Sequence, residues 1–543
     1  MTDDTPPSRS RVGQLVINVV ANYGYYAVGM VVGVVLTPFL NNRLGREVFG
    51  EWFFLIGLTL YFSLADAGFN AATVKYVSEH LARREWAAAG RIMAASLRFF
   101  VAIAAAFALL AVGTVLFPRY LVLPALIAGA LQFLSAHTGI VVLAIILGNW
   151  AVEMAFAPFN AALFGAQRYD LARAVAVLAR LAKFAAILVL IGLGHGVIAL
   201  ALVTVGEALL RGLFQWWLVR RKIPELPLGF SGAQPETYRK FFRFSAWIVV
   251  SNLAYKLIML SDIPLVQFTR AGERENVLYN AAMQPILETE QLLWALAQVL
   301  VPFAAAGAAL ADRRLLQETI VRGARFTLLM ALPILTYLLL GGRGLYGAWM
   351  YHEKEFPLEH VAQAQLLLWI LAPAFLLLFL QQPAIAVFVG SGRVRVPALL
   401  NLVQGVVKIA LSLWLVQYFG LAGIALGTVI PLAVVNGLVF PRFVRRELGV
   451  GWGDLCRGAL LPAGATALIA GPLAWLWLEL TGAAAMDQWR FRYQIPIALG
   501  VALLFAATAW FTGLKADDRR WIRARLPFRR RRPGPLSPEP PAK

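Results

Sequence analysis

Two stretches of this chain match each other: PFNAALFGAQRYDLAR at residues 158–173 and PAIAVFVGSGRVRVPA at residues 383–398. At a constant offset of 225 residues, the identical positions include Pro158 and Pro383, Gly165 and Gly390, Arg168 and Arg393, and Lys183 and Lys408. After one inserted residue the match resumes, because Gly194 aligns with Gly420. The chain is therefore predicted to consist of two related halves.

The composition indicates what kind of protein carries this repeat. Of 543 residues, 60% are hydrophobic and 14% are charged, whereas an ordinary soluble domain is about 25% charged. These proportions exclude a soluble enzyme and a disordered chain. The apolar runs are continuous, which also excludes a porin-like barrel, whose strands alternate apolar with polar residues. We therefore expect a helical membrane protein.

A membrane-spanning helix needs about 20 apolar residues, and the sequence contains about fourteen such windows. They lie approximately at 12–40, 49–70, 93–117, 138–165, 174–193, 196–219, 244–269, 277–305, 324–341, 363–389, 397–418, 421–441, 459–481 and 495–514. The segment 118–137 is interrupted by Pro118 and Pro124 and is predicted to be either interfacial or part of the fourth span. The predicted fold class is an all-α polytopic membrane protein.

The repeat and the windows together predict the domain organisation. Each half holds six spans, and an even number of crossings gives both halves the same orientation, about an axis along the membrane normal. We predict a first bundle at 1–222, a second at 223–445, two extra helices at 446–514 and a basic tail at 515–543.

The distribution of basic residues predicts the topology. The net charge is +20, and most of the 49 Lys and Arg residues fall in alternate gaps between the windows and in the tail. By the positive-inside rule, both termini lie in the cytoplasm and the protein is a multi-pass protein of the cytoplasmic membrane. The tail is expected to contact anionic lipid headgroups. The charge is thus explained by topology, and no nucleic-acid partner is expected.

Charged residues within the windows identify candidate sites, since charge at membrane depth costs at least 2.5–3.5 kcal/mol. Lys183, Lys256 and Lys408 fall at mid-window, and Arg180 lies three residues before Lys183 on the same helix face. These cations could line a cavity that binds an anionic group such as a phosphate. The alternative is that each lysine snorkels or pairs with a local carboxylate.

The eighth window carries polar residues on one helix face, an arrangement that points at water or protein rather than lipid. This stripe consists of Asn280, Gln284, Glu288, Gln291 and Gln298. Glu288 is the candidate for coupling to H+ or Na+, and Gln284 for substrate binding. Further candidates are Asp66 and Asp262 for coupling and Asn22, in the first window, for substrate binding. No cofactor, resident metal or disulfide is expected, since the five histidines are scattered and Cys456 is the single cysteine.

Three further charged residues lie within the windows: Glu153, Glu207 and Arg211. Glu207 and Arg211 are four residues apart in one window and are expected to neutralise each other. Glu153 has no evident partner in the sequence.

Several motifs carry a family resemblance. They are LTPFLNNRLGREVFGEW (36–52), SLADAGFNAATVKYVSEH (63–80), PFNAALFGAQRY (158–169), SDIPLVQFTRAGERENVLYNAA (261–282) and the Gly-x-x-Arg turn at 390–393. Over roughly residues 12–445 the chain resembles the polysaccharide-exporter branch of the multidrug/oligosaccharidyl-lipid/polysaccharide (MOP) flippase superfamily. The resemblance implies two six-helix bundles around a central cavity, and it matches Asp66 and Asp262 to acidic positions of the family. Pro264 departs from the family pattern and predicts a broken helix after Asp262.

The resemblance implies a transporter rather than an enzyme. The predicted function is movement of an undecaprenyl-diphosphate-linked oligosaccharide from the inner to the outer leaflet by alternating access. Polysaccharide polymerase or assembly proteins are expected partners. There are three rival hypotheses. The first is a multidrug antiporter, which would have an acidic and aromatic cavity. The second is a membrane glycosyltransferase or ligase that uses glutamates of the outer loop 342–362, and the third is a non-transporting scaffold for polysaccharide assembly.

Overall fold

The computed structural model describes residues 11–66, 68–117, 136–267, 273–298, 312–483, 491–516 and 518–520, together with residues 300, 304 and 308. Almost all of these residues are helical, as the apolar windows predict. The helices are α1 (Arg11–Leu44), α2 (Arg46–Thr59), α3 (Phe69–Ala82), α4 (Trp86–Leu116), α5 (Ala136–Gly165), α6 (Tyr169–Gly192), α7 (Val197–Lys222), α8 (Pro235–Met259), α9 (Asp262–Gln267), α10 (Glu273–Gln298), α11 (Arg313–Met350), α12 (Leu358–Gly390), α13 (Arg395–Phe419), α14 (Leu421–Val434), α15 (Phe440–Leu448), α16 (Trp452–Leu455), α17 (Leu461–Leu480) and α18 (Phe491–Thr512). Two π-helical turns, Val435–Val439 and Cys456–Leu460, connect α14 to α15 and α16 to α17.

Within the described residues, eleven helices are long and apolar enough to cross a membrane. They correspond to eleven of the fourteen predicted windows, and the fold class is confirmed. The second, seventh and eighth windows also form helices, but these are shorter or more polar. Residues 118–135 of the predicted interfacial segment and most of the basic tail lie outside the described residues.

The second and seventh windows are shorter because their helices are interrupted. After α2 the backbone tightens into a 3₁₀ helix, Leu60–Asp66, and Gly68 then turns it with a left-handed φ of 71°. The seventh window is divided at Leu260 and Ser261, between α8 and α9. The sequence predicts a break after Asp262, whereas the interruption lies just before it. Pro264 falls in the first turn of α9, where a missing N–H is tolerated, so the helix continues from Asp262 to Gln267.

The internal repeat is visible in the helix packing. In the first half α1 packs on α6, α4 on α5, and α7 on both α5 and α6; in the second half α8 packs on α13, α11 on α12, and α14 on both α12 and α13. The arrangement of the two halves is therefore the same. The residue boundaries of the domains stay predictions.

The matching turns of the two repeats have the same geometry. The N–H of Arg168 donates to the carbonyl of Leu163 at 2.9 Å, and the N–H of Arg393 donates to that of Phe388 at 2.9 Å. The left-handed residue of this turn is Gln167 in the first half (φ 59°) and Gly392 in the second (φ 72°). Such turns end helices while satisfying their last carbonyl groups.

The last two long helices, α17 and α18, pack on each other and on α11. Their outer faces carry exposed apolar side chains, including Leu468 at 78% and Leu503 at 69% exposure. An apolar surface of this kind fits contact with lipid chains rather than water.

The two halves are joined at one end by a cluster that we call the latch, formed by Arg46, Glu275, Glu355 and His360. The N–H of Arg46 donates to Glu355 Oε2 at 2.8 Å, and its guanidinium lies 3.1 Å from His360 Nε2 and 3.6 Å from Glu275 Oε1. Arg46 belongs to the first half and its three partners to the second, so the latch holds the halves together.

Another set of contacts joins α3 to α8. The Phe69 ring packs against Phe241 and Phe242, with centroid distances of 5.1 and 4.9 Å, and Tyr76 stacks on Phe241. The Ser245 hydroxyl donates to the carbonyl of Gly68 at 2.9 Å. These residues, the aromatic cluster, form a second bridge between the halves in this conformation.

Candidate functional site

A cavity of about 240 Å³ lies within the first half, which we call the N-half cavity. Its walls come from α1, the 3₁₀ helix and the helices α3 to α7. Aromatic rings, including Tyr25 and Trp150, line part of it. The polar residues that line it are Asp66, Asn70, Glu153, Asn160, Arg173, Arg211 and Gln215. The mixture of rings, amides and charges at membrane depth marks it as the first candidate site.

An ion-pair network lies along this cavity. The Arg211 guanidinium binds Glu153, and its Nε lies 3.5 Å from Glu207 Oε1. The predicted pairing of Glu207 with Arg211 is confirmed, and Glu153 has the partner that the sequence did not reveal. Lys183 lies within electrostatic range of both carboxylates. The two carboxylates are therefore shared between two cations.

Two arginines of α6 lie over one tyrosine ring of α1. The Arg173 and Arg180 guanidinium carbons are 4.5 and 4.2 Å from the Tyr25 ring centroid. Arg180 also donates to the Tyr25 hydroxyl at 2.6 Å and to the Tyr25 carbonyl at 3.3 Å. Cation–π contacts hold the guanidinium planes without neutralising their charge. The buried Nε of Arg173 has no hydrogen-bond partner among the described residues.

The second half contributes two predicted residues to the same region. Gln284 donates to Glu288 Oε1 at 2.7 Å, and Glu288 interacts electrostatically with Arg180 across the interface. Four of the predicted site residues are thus brought together: Arg180, Lys183, Gln284 and Glu288. Their roles stay predictions, since geometry alone does not assign them.

Lys256 and Asp66 lie together at the interface between the halves. Their charges interact, and Asp66 Oδ1 also accepts a hydrogen bond from the N–H of Gly68 at 2.6 Å. Asp66 lines the N-half cavity, so this pair connects the cavity with the aromatic cluster. The side chain of Asn22 lies outside the described residues.

Lys408 and Asp262 form a buried ion pair in the second half. Lys408 Nζ lies 2.8 Å from Asp262 Oδ1 and donates to the carbonyl of Ile258 at 2.5 Å. The hydroxyls of Tyr279 and Thr428 donate to the same carboxylate, at 2.9 and 3.3 Å. The Lys408 side chain is 1% exposed and lines neither the N-half cavity nor the second-half cavity described next, so a ligand in either cavity does not contact it in this conformation. The repeat-related lysines 183 and 408 therefore have different surroundings.

A second cavity, of about 480 Å³, lies in the second half and is called the C-half cavity. It contains Glu290, which lies off the polar stripe and therefore carries no signal in the sequence pattern. The Tyr255 hydroxyl and the Gln382 amide donate to this carboxylate at 3.4 and 3.3 Å. The buried Oε1 atoms of Gln382 and Gln404 have no hydrogen-bond partner among the described residues. None of the described residues lining the cavity is basic, in contrast to the N-half cavity.

Comparison with known proteins places this architecture in a family. A family model described as polysaccharide biosynthesis protein matches residues 15–306, more than half of the chain. The chain belongs to the polysaccharide biosynthesis protein family. A curated relative of this family member is the uncharacterized membrane protein EpsK of Bacillus subtilis (strain 168). It is 23% identical over 528 residues, which cover 94% of this chain and 97% of EpsK.

Solved structures show the fold of this polysaccharide biosynthesis protein. The lipid II flippase MurJ in its inward closed conformation superposes with a TM-score of 0.65 and 12% identity, covering 91% of this chain and 98% of MurJ. An inward-facing multidrug resistance MATE transporter of the MOP superfamily superposes with a TM-score of 0.63 and 16% identity, covering 79% of this chain and 98% of the transporter. The protein therefore has the fold of MOP-superfamily transporters, as the sequence resemblance implies.

Proposed function

We propose that this protein is a flippase for a lipid-linked oligosaccharide, and that an undecaprenyl-diphosphate carrier is its substrate. The observation that carries the proposal is the cationic character of the N-half cavity and its edge. Five cations lie in this region: Arg173, Arg180, Lys183, Arg211 and Lys256. They share it with four carboxylates: Asp66, Glu153, Glu207 and Glu288. Positive charge is in excess by one, and guanidinium and ammonium groups suit an anionic diphosphate.

Each part of such a substrate finds a suitable environment. Arg173, Arg180 and Lys183 would replace the hydration that the diphosphate loses. The sugar would lie against the Trp150 ring and the amides of Asn160 and Gln215, which line the cavity. The polyprenyl tail would remain in lipid beside α17 and α18.

Alternating access requires that the contacts between the halves open in turn. We propose that the latch lies on the outer side and the aromatic cluster on the cytoplasmic side, with both termini in the cytoplasm of a cytoplasmic-membrane protein. This orientation rests on the positive-inside distribution of Lys and Arg. Glu355, from the loop considered for catalysis, is used by the latch, which favours a transporter over an enzyme.

Coupling to H+ or Na+ is part of the proposal. Glu288, Asp262 and Asp66 remain the candidates from the sequence, and the structure adds Glu290. Glu290 is the most isolated of these carboxylates, because its partners are neutral donors and a buried charge without a counter-ion is costly. Polysaccharide polymerase or assembly proteins are proposed to act on the delivered substrate.

The proposal is tested in the native host by depleting the protein and locating the lipid-linked saccharide. We expect undecaprenyl-diphosphate oligosaccharide to accumulate on the inner leaflet. Complementation with Lys183→Glu should fail at normal expression, whereas the matched charge reversal Lys222→Glu, at the exposed end of α7, should restore delivery. Normal delivery to the outer leaflet after depletion would refute the proposal.

A multidrug antiporter is a second candidate, favoured by the C-half cavity. The carboxylate of Glu290 and the rings of Tyr26 and Trp294 line it, and an acid with aromatic rings suits an organic cation. Expression in a drug-sensitive, efflux-deficient strain distinguishes the two. A flippase leaves cationic dye accumulation unchanged, whereas an antiporter lowers it and loses this effect in Glu290→Gln.

A further inference from the structure

A third cavity, of about 480 Å³, lies away from the interface between the halves. The first turns of α11 meet there with the turn Gly449–Val450, the π-helical turn Cys456–Leu460 and the residues that follow α18. Its charged lining residues are Glu318, Arg322, Arg325, Asp454, Arg457 and Lys515. Positive charges outnumber negative ones, and the cavity is assigned no role in the proposed transport.

Arg325 is the buried centre of this cavity, with its side chain 3% exposed. One of its nitrogens, Nη2, lies 2.6 Å from Asp518 Oδ2. Its Nε and Nη1 are buried and have no hydrogen-bond partner among the described residues. A guanidinium carries five N–H donors, and each buried donor left unsatisfied costs about 1–3 kcal/mol. These donors therefore need an acceptor that the described residues do not supply.

The nearby carboxylates are already used. Asp518 is shared between Arg325 and Arg322, whose Nε lies 3.0 Å from Oδ1. Asp454 accepts the N–H of Gly451 at 2.9 Å, and Glu318 pairs with Arg314 at 3.1 Å. No ion pair within the described part of the chain engages Arg457 or Lys515. The cavity thus has a surplus of cationic donors.

We propose that this cavity binds a phosphate group. The planar guanidinium fork matches phosphate oxygens, and two further cations would surround the bound anion. The cavity lies at the start of α17, whose Leu461 is 65% exposed, so a membrane lipid can present its headgroup there. Basic clusters beside a membrane span are the usual recognition element for anionic lipids. The group can be supplied by an anionic lipid headgroup or by free phosphate.

The test measures binding to the purified full-length chain in dodecyl maltoside at constant ionic strength. One arm titrates short-chain phosphatidylglycerol and the other titrates inorganic phosphate. The variants Arg457→Ala and Lys515→Ala remove cations from the rim and keep the buried Arg325 pair. The matched control is Arg446→Ala, an exposed arginine outside this cavity.

We expect saturable binding in at least one arm. Arg457→Ala should weaken this binding about 10-fold or more, where a factor of ten corresponds to about 1.4 kcal/mol. The control Arg446→Ala should leave the affinity unchanged. The arm that binds identifies the source of the phosphate. Unaltered melting temperatures would show that the variants are folded. Absence of saturable binding in both arms, or equal weakening by Arg446→Ala, would overturn the proposal. This test is independent of flippase activity.

Discussion

Replacing Lys408 by methionine should destabilise the protein far more than the same replacement at Lys183. Lys408 is buried against Asp262, which also accepts hydrogen bonds from Tyr279 and Thr428. Lys408→Met therefore leaves a buried carboxylate without a counter-ion, a change that typically costs about 3–5 kcal/mol. At about 1.4 kcal/mol per factor of ten, the unfolding equilibrium constant should rise by about two to four orders of magnitude.

The reasoning also predicts partial rescue. In the double variant Lys408→Met/Asp262→Leu both charges are absent, and apolar replacement of a buried ion pair is often nearly neutral. The double variant loses the hydrogen bonds from Tyr279 and Thr428 to Asp262 and the one from Lys408 to the Ile258 carbonyl, at about 1 kcal/mol each. We expect the double variant to be more stable than either single variant. Lys183→Met should cost less than about 1 kcal/mol, since Lys183 is only half-buried and its electrostatic neighbours retain other partners.

The assay is equilibrium unfolding in mixed micelles, monitored by tryptophan fluorescence. It compares the wild type, the single variants Lys408→Met, Asp262→Leu and Lys183→Met, and the double variant Lys408→Met/Asp262→Leu. Flippase activity is measured in parallel in liposomes. If Lys408 mainly stabilises the second half and Lys183 binds substrate, Lys408→Met loses stability while Lys183→Met keeps stability and loses transport. Equal destabilisation by the two lysine variants, or a double variant less stable than both singles, would refute this division.

Three further predictions concern the latch, the coupling carboxylates and the repeated turn. Arg46→Ala should favour opening at the latch, detected as a broader and longer distance distribution between spin labels placed on α2 and α12; an unchanged distribution would contradict a gating role. Glu290→Gln should abolish the dependence of transport on a proton or sodium gradient. If Glu288→Gln abolishes this dependence equally, the two carboxylates are not distinguished. If Glu290→Gln keeps the dependence, Glu290 is excluded as the coupling site. Gly392→Gln should lower the free energy of unfolding by about 1 kcal/mol, because a non-glycine left-handed residue costs about that much; the reverse exchange, Gln167→Gly, should not lower it in the same denaturation assay.

Much of the fold could be predicted from the sequence because two of its signals are strong. Continuous apolar windows identify membrane helices, and the repeat requires two similar bundles. Gly165 is a clear marker of the repeat because packing excludes a larger residue there: a Cβ at this position would lie 2.9 Å from the Val77 side chain. The lengths of the second and seventh helices were less predictable, since interruptions at Leu60–Asp66 and Leu260–Ser261 depend on tertiary contacts as well as on local composition.

The site was predicted less completely, for a physical reason. A charge in an apolar window signals that a partner exists, but the partner can lie on any neighbouring helix. Spacing within one helix correctly paired Glu207 with Arg211. It could not pair Glu153 with Arg211, which are 58 residues apart, or Lys408 with Asp262, which are on different helices. Glu290 was missed because a single helix face was used as the criterion, whereas its cavity is formed by several helices.

The two halves share an architecture and differ in charge, and this difference is what the proposed mechanism needs. Neighbouring residues of α1 reach both sites: Tyr25 contacts Arg173 and Arg180 at the N-half cavity, and Tyr26 lines the C-half cavity with Glu290. An anionic substrate in the first half and a cation in the second would therefore act on the same turn of one helix. If α1 moves as a rigid unit, occupation of either cavity alters the position of the other tyrosine. A carrier built this way can exchange its two ligands without placing opposite charges in one shared site.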